Sequence, residues 1–334
     1  MSKTAVRWFW FACAAPLAAG CSTPTSSEDI SAESAIQGGA PWGGDYAVGM
    51  IGFASGGVCT GTLIAPDVVL TAGHCVQGVE EEISGFYLGA GGPVVSNGGP
   101  STDMPANLVH YEVDKVALYP GFDVANSMSC PLSTTDVAVL HLATPVTAVR
   151  SQPFPRPGSE ARVVSSSLSI GQSCWTVGYG RRDVGGVTTT KEKRIAQVRV
   201  QSLASGSLSV VAGAGPSGGI TDEGDSGGPL LCAFAGLNGN GPWRIVGVVS
   251  CAKDGVAAAH HEQTYVRTDG IADWLAQAVV SFPVEERCTT TGASIPMRCD
   301  GLTLQMCDGQ RWRTLQTCSP TQTCNAQQVS CDGS

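Results

Sequence analysis

Three short segments of this chain contain residue types suited to nucleophilic catalysis. LTAGHC contains His74, TDVAVL contains Asp136, and EGDSGGPL contains Ser226. A serine hydroxyl is a weak nucleophile that needs an adjacent base, and a base works best when a third group orients it. Taken singly, each segment has a structural explanation: a histidine before a cysteine, an aspartate that caps a turn, or a glycine-rich loop. The three segments together indicate nucleophilic catalysis.

A chance match to GDSGGP is expected on the order of once in ten thousand chains. With the order His, Asp, Ser, these motifs make the chain similar to the chymotrypsin–trypsin family of serine proteases, since α/β-hydrolases and subtilisins use other orders. The resemblance covers residues 36–282. It implies two antiparallel six-stranded β-barrels with a C-terminal helix, and a serine endopeptidase that forms an acyl-enzyme.

The resemblance also assigns a role to each residue of the triad. Ser226 is the nucleophile, His74 is the general base and later the acid, and Asp136 orients the imidazole and stabilises the imidazolium. The backbone N–H groups of Gly224 and Ser226 form the oxyanion hole, because glycine permits backbone angles that a side chain forbids. Ser250 matches the serine that supports the buried aspartate.

Family disulfides are implied in each barrel: Cys59 with Cys75, and Cys174 with Cys232. On this pattern Cys130 and Cys251 are left over. We expect them to pair, because both positions should line the same side of the cleft.

The sequence departs from the family pattern beside the specificity pocket. The usual bridge is absent, because Asp222 stands at the position of its first cysteine. Ile220 takes the pocket floor, and an isoleucine cannot pair with a buried cation, so cleavage after Arg or Lys is disfavoured. Side chains at Ala252 and Gln263, where wide pockets carry glycine, should narrow the pocket. We expect a preference for small apolar residues.

The segment IQGG that begins at Ile36 resembles the family's mature N-terminus. In relatives, cleavage frees the isoleucine amine, which inserts and pairs with the aspartate before the nucleophile, here Asp225. A buried carboxylate needs such a partner. We therefore expect an inactive zymogen that is cut after Ala35; the alternative is that Gly38 and Gly39 are only a hinge. Ala35 suits a small apolar pocket, so self-cleavage is a possible route.

Composition agrees with a β-rich fold. Of the 334 residues, 43% are hydrophobic and only 14% are charged, with 43 Gly and 19 Pro. Short apolar runs alternate with turn residues, a pattern typical of antiparallel sheets. Strands are predicted at Ala47–Phe53, Val68–Thr71, Val116–Tyr119, Val137–Leu142, Trp175–Tyr179, Arg194–Val200, Leu208–Val211 and Trp243–Val249. Apolar residues at helical spacing predict a helix over Ile271–Val280, and residues 146–158 are the expected link between the two halves.

Residues 1–20 have the features of an export signal, with basic residues before an apolar stretch too short to span a bilayer. LAAGC, which ends at Cys21, resembles a bacterial lipobox and predicts lipidation of Cys21; an ordinary signal peptide is the alternative. The chain has 14 cysteines. Cys13 would leave with the signal, and lipid would block the thiol of Cys21, so 12 thiols, an even number, would remain for disulfides. Residues 21–35 read as a tether or propeptide. The protein should be exported, and either lipid-anchored to a bacterial membrane or secreted after activation.

Residues 286–334 form a separate small module with six cysteines and few large apolar residues. So small a unit needs disulfides, and three bridges allow fifteen pairings. Asp308-Gly309 predicts a hairpin between Leu302–Cys307 and Arg311–Leu315. A zinc site is disfavoured because the spacing lacks paired CxxC motifs. The module either binds a cell-surface polymer or protects the chain end, and the sequence does not decide between them.

The net charge of −9 argues against nucleic-acid binding, which requires a basic face. His260 and His261 are adjacent on a loop and lack a third ligand, so we expect no metal there. No cofactor is expected, and the protein should act as a monomer on protein or peptide substrates. The competing hypothesis is a catalytically silent homologue that works as a surface binding protein; the intact triad opposes it.

Overall fold

A computed structural model describes the following residues: 36, 38–44, 47–95, 100–122, 135–184, 187–215, 217–235, 237, 242–252, 262–282, 297–300, 303–307, 312–317, 322–325 and 330–332. The predictions for residues 1–35, for Cys130 and for His260 and His261 lie outside these residues. Within the described part of the chain, no helix is both long and apolar enough to cross a membrane.

The N-terminal half is a curled antiparallel sheet. Its nine strands, in chain order, are β1 (Ala40–Pro41), β2 (Val48–Phe53), β3 (Val58–Ala65), β4 (Val68–Thr71), β5 (Ile83–Leu88), β6 (Gly91–Val95), β7 (Val109–Tyr111), β8 (Val113–Leu118) and β9 (Ala138–Leu142). Seven of them pair in the order β7-β5-β2-β3-β4-β9-β8. Only Glu112 separates the edge strands β7 and β8, so the sheet curls into a half-barrel around buried aliphatic side chains.

The second half is a closed barrel. Its strands are β10 (Ser173–Gly178), β11 (Arg182–Val184), β12 (Val187–Glu192), β13 (Arg194–Leu203), β14 (Ser207–Ala212), β15 (Pro229–Ala233), β16 (Trp243–Ala252) and β17 (Gln263–Arg267). Six of them pair in the order β13-β10-β15-β16-β17-β14, and β14 also pairs with β13, which closes the barrel; β1 pairs with β13 as an additional short strand. The predicted two-barrel fold is confirmed, with the difference that the first barrel is only a half-barrel.

A small sheet joins the two barrels. Strand β6 of the first half pairs with β12, with Val95 opposite Thr189. Strand β12 also forms a hairpin with β11. Lys191 lies in β12 with an exposed fraction of only 1%. Its ammonium donates to the backbone carbonyls of Ser101 and Asp103, at 2.5 and 2.7 Å. Burial lowers the pKa of Lys191. The hairpin is therefore tied to the first barrel by backbone and side-chain contacts.

Among the described residues, two α-helices flank the barrels. The predicted C-terminal helix is confirmed as α2 (Ala272–Val280), and its residues Leu275 and Ala278 belong to a hydrophobic core that is formed mostly by the first barrel. Sequence analysis did not predict α1 (Ser159–Ser167). Its buried Glu160 accepts hydrogen bonds from Arg244, at 3.3 Å from both Nε and Nη2, and this contact fastens the helix to the second barrel.

The C-terminal module contains β18 (Met297–Asp300), β19 (Thr303–Cys307), β20 (Trp312–Thr317), β21 (Thr323–Asn325) and β22 (Ser330–Asp332). The first three form an antiparallel sheet, and the last two form a separate pair. The predicted hairpin is confirmed, because Cys307 in β19 lies opposite Trp312 in β20.

Candidate active site

His74 and Asp136 meet at the end of neighbouring strands of the first barrel. Strand β4 ends three residues before His74, and β9, which pairs with β4, begins two residues after Asp136. The Nδ1 atom of His74 lies 2.8 Å from Oδ2 of Asp136, and the backbone N–H of His74 donates to Oδ1, also at 2.8 Å. Because a carboxylate oxygen only accepts, Nδ1 must carry the proton, which leaves Nε2 as an acceptor.

Asp136 is fully buried, and its carboxylate oxygens accept hydrogen bonds from protein groups. Besides the two contacts with His74, Oδ2 accepts a hydrogen bond from the hydroxyl of Ser250 at 2.5 Å. Ser250 lies in β16 of the second barrel, so this bond crosses the cleft between the barrels. The predicted support of Asp136 by Ser250 corresponds to this contact.

Ser226 lies in the turn that precedes β15 and is partly exposed. Its carbonyl oxygen accepts a hydrogen bond from the N–H of Thr60 at 2.8 Å and lies 3.6 Å from the Sγ atom of Cys75. The same sulfur is 3.9 Å from Nε2 of His74. The structure therefore brings the three predicted residues of the triad to one place, at the junction of the two barrels.

Glycine is required in the turn before Ser226. Gly224 has a φ of +92°, which side-chain-bearing residues rarely adopt, and a Cβ there would lie 2.8 Å from Val58 Cγ2. The carbonyl of Glu223 accepts from the N–H of Arg181 at 2.6 Å. Since a trans peptide directs its N–H opposite to its C=O, the N–H of Gly224 points away from Arg181.

Asp225 is a second fully buried carboxylate. It accepts hydrogen bonds from the N–H groups of Gly180 and Asp222 at 2.8 and 2.9 Å, and from the backbone of Ile36. Burial nevertheless raises the pKa of Asp225 to about 7, because these donors are neutral and Asp222 adds negative charge nearby. Within the described part of the chain, Asp225 has no cationic partner that would favour its ionised form.

A sequence-family model described as Trypsin matches residues 33–275. The chain belongs to the trypsin family. It is thus a serine-protease homologue of the hydrolase class whose substrates are proteins or peptides. The matched region contains both barrels and all three residues of the predicted triad.

Two disulfides of the trypsin family are present as predicted. Cys59 bonds to Cys75 beside His74, and Cys174 bonds to Cys232 in the second barrel. Cys251 is also disulfide-bonded, but its predicted partner lies outside the described residues, so that pairing stays a prediction.

The predicted pocket residues lie near one another. Ile220 has an exposed fraction of 5% and packs in the core of the second barrel. Gln263 pairs with Ala252 across β16 and β17, and its amide Nε2 donates to the carbonyl of Thr221 at 2.8 Å. With an exposed fraction of only 3%, the Gln263 side chain occupies space next to the residue that follows Ile220.

Sequence analysis missed one residue that connects these groups. Thr60 is fully buried in β3; its hydroxyl donates to the carbonyl of Gly224 at 2.9 Å and accepts from the N–H of Tyr179 at 3.1 Å. The segment VCTGTL drew attention to Cys59, and nothing in the sequence distinguishes the Thr60 hydroxyl from that of Thr62. Among the described residues, no group of three or more His, Cys, Asp or Glu side chains is suited to hold a metal ion.

Proposed function

We propose that this protein is an active serine endopeptidase that hydrolyses peptide bonds through an acyl-enzyme on Ser226. The observation that carries the proposal is the hydrogen-bonded pair of Asp136 and His74 beside the Ser226 turn. An imidazole whose Nδ1–H is held by a buried carboxylate presents Nε2 as a base.

In this mechanism Nε2 of His74 removes the hydroxyl proton as Ser226 Oγ attacks the scissile carbonyl. The oxyanion accepts hydrogen bonds from the N–H groups of Gly224 and Ser226. His74 then protonates the leaving amine, and the acyl-enzyme is hydrolysed by water with the same base. The buried Asp136 stabilises the imidazolium that forms in both steps.

Labelling with a fluorophosphonate probe tests the proposal. The enzyme that begins at Ile36 should be labelled and should cleave peptide substrates, whereas Ser226→Ala should lose labelling and about 10⁵-fold or more in kcat. Ser167→Ala, at an exposed position in α1, is the matched control and should retain both. An unlabelled wild-type protein would instead support the silent homologue.

The proposal includes activation by cleavage before Ile36. Ile36 is fully buried and has a φ of +31°, a strained value for a β-branched residue. Cutting the preceding bond removes that torsion, and the new ammonium provides the cation that Asp225 lacks. Gly38 also supports the insertion, because a Cβ there would lie 2.1 Å from the carbonyl oxygen of Gly218.

Cleavage should therefore stabilise the protein increasingly as the pH rises. In the uncut chain the folded-state pKa of Asp225, about 7, exceeds its ordinary value of 3.8, so stability present below pH 4 is lost as the pH rises through 7. In the cut form the Ile36 ammonium would pair with ionised Asp225, so this loss of stability would not occur. Thermal unfolding of uncut and cut Ser226→Ala protein should diverge between pH 4 and 7. Asp225→Asn should abolish the divergence, and parallel curves for the two forms would contradict this account.

We further propose that substrates carry small apolar residues before the scissile bond. Ile220 provides no carboxylate for a basic side chain, and the buried Gln263 amide reduces the space beside it. The pocket residues thus favour a shallow site, which also suits Ala35 in the protein's own precursor.

Replacing Gln263 by a smaller residue should enlarge the pocket, so that larger apolar residues are accepted before the scissile bond. Gln263→Gly should raise kcat/KM for a Phe substrate relative to an Ala substrate by about tenfold or more, since pocket volume discriminates side chains at this scale. Gln201→Gly, at an exposed position in β13, is the control for the backbone effect of glycine. A panel of Ala, Val, Phe and Arg peptides gives the ratios, and fastest wild-type cleavage after Arg would refute the assignment.

The location of the protein is proposed from sequence alone. Lipid on Cys21 would keep the precursor at a membrane, and no other propeptide cysteine exists to retain the cut piece, so cleavage should release the protease. Fractionation should find the precursor with membranes and the activity in the medium. Activity that stays with membranes after cleavage would rule out release.

A further inference from the structure

The peptide group that carries the Gly224 N–H is held by a hydrogen bond, and so is the peptide group that precedes it. The Glu223 carbonyl accepts from Arg181, as described, and the Glu223 N–H donates to Oδ1 of Asp222 at 2.7 Å. Asp222 has an exposed fraction of 6%, so little water competes for this bond. The side chain of Asp222 therefore limits rotation of the backbone just before the predicted oxyanion donor.

The backbone that follows Gly224 is held from the other barrel. The Thr60 hydroxyl donates to the Gly224 carbonyl at 2.9 Å, and the Thr60 N–H donates to the Ser226 carbonyl at 2.8 Å. Threonine is restricted at χ1, and Thr60 is fully buried, so its hydroxyl has a fixed direction. Together the two side chains fix the turn from both ends of Gly224.

We propose that Thr60 and Asp222 are positioning residues that aim the Gly224 N–H at the oxyanion. This inference rests on the proposed acyl transfer at Ser226. An oxyanion donor is effective only if it is already in place when charge develops, because reorientation in the transition state costs free energy. The Asp222 carboxylate thus provides a non-covalent constraint at a position where the family has a disulfide.

The test compares a substitution that removes each contact with a conservative substitution that keeps it. In the enzyme that begins at Ile36, Thr60→Val and Asp222→Ala should each lower kcat by about tenfold to a hundredfold, less than the loss of a whole oxyanion donor. KM should change by less than about threefold, because the lost stabilisation belongs to the transition state. Thr60→Ser keeps the hydroxyl and Asp222→Asn keeps the acceptor, so both should retain kcat within about threefold.

Thr62→Val is the matched control for the change at Thr60. Thr62 lies in the same strand with an exposed fraction of 1%, and its hydroxyl has no hydrogen-bond partner among the described residues. The same substitution at this position should leave kcat unchanged. Thermal unfolding of all variants verifies that they are folded.

Distinct outcomes separate this inference from the proposed function. A wild-type enzyme that is not labelled at Ser226 would overturn both. A labelled, active wild type with unchanged kcat in Thr60→Val and Asp222→Ala would overturn only the positioning role. The positioning role would also be overturned if Thr60→Ser lost as much kcat as Thr60→Val, or if Asp222→Asn lost as much as Asp222→Ala. A rise in KM with unchanged kcat would overturn it as well. Should Thr60→Val fail to fold, the two Asp222 variants decide the question.

Discussion

The hydrogen bond from the Thr60 N–H to the Ser226 carbonyl joins the two barrels where the predicted catalytic groups meet. His74 and Asp136 belong to the first barrel, and Ser226 belongs to the second, so neither half contains a complete site. The Cys59–Cys75 disulfide packs against the same carbonyl. A shift between the barrels would break this contact before it exposed either core, which makes the site sensitive to a small rearrangement.

Two buried carboxylates impose a similar electrostatic constraint on this junction. Asp136 receives three hydrogen bonds and adjoins an imidazole that can become a cation. Asp225 receives backbone N–H groups, and its pKa is raised to about 7. In both places the fold buries a carboxylate, and the compensating positive charge comes from a group that is neutral at first and becomes a cation. For Asp136 that group is His74 under the proposed mechanism, and for Asp225 it is the amine of Ile36 under the proposed activation.

The parts that sequence analysis predicted are those encoded in contiguous residues. The three motif segments, the apolar strand runs and the helical spacing of α2 are local patterns, and the structure contains each of them. Helix α1 was missed because it is serine-rich and lacks a side-chain N-cap, while its anchor is the contact of Glu160 with Arg244, far away in sequence. Lys191 was missed for a related reason. A lysine is usually exposed, and its burial depends on carbonyls from a loop about ninety residues earlier.

The same distinction applies within the site. Motif order predicted His74, Asp136 and Ser226, yet the contact of Thr60 with the turn that contains Gly224 depends on how the barrels pack, and the contact of Asp222 with Glu223 depends on the conformation of that turn. No local pattern encodes the direction of a threonine hydroxyl in the middle of a strand. Residues that position a reacting group are therefore less visible in a single sequence than the group itself.

The buried position of Ile36 also constrains how activation can occur. A protease binds residues on both sides of the bond it cuts, and Ile36 is fully enclosed in the uncut chain. Cleavage before Ile36 therefore requires local opening of the N-terminal segment, which such segments undergo at a lower free energy than global unfolding. Ionisation of Asp225 without a cation weakens the closed state as the pH rises toward 7, so it favours this opening. Under the proposed activation, the new ammonium of Ile36 would reverse the sign of that effect, and the carboxylate of Asp225 that favoured opening would then hold the segment in place.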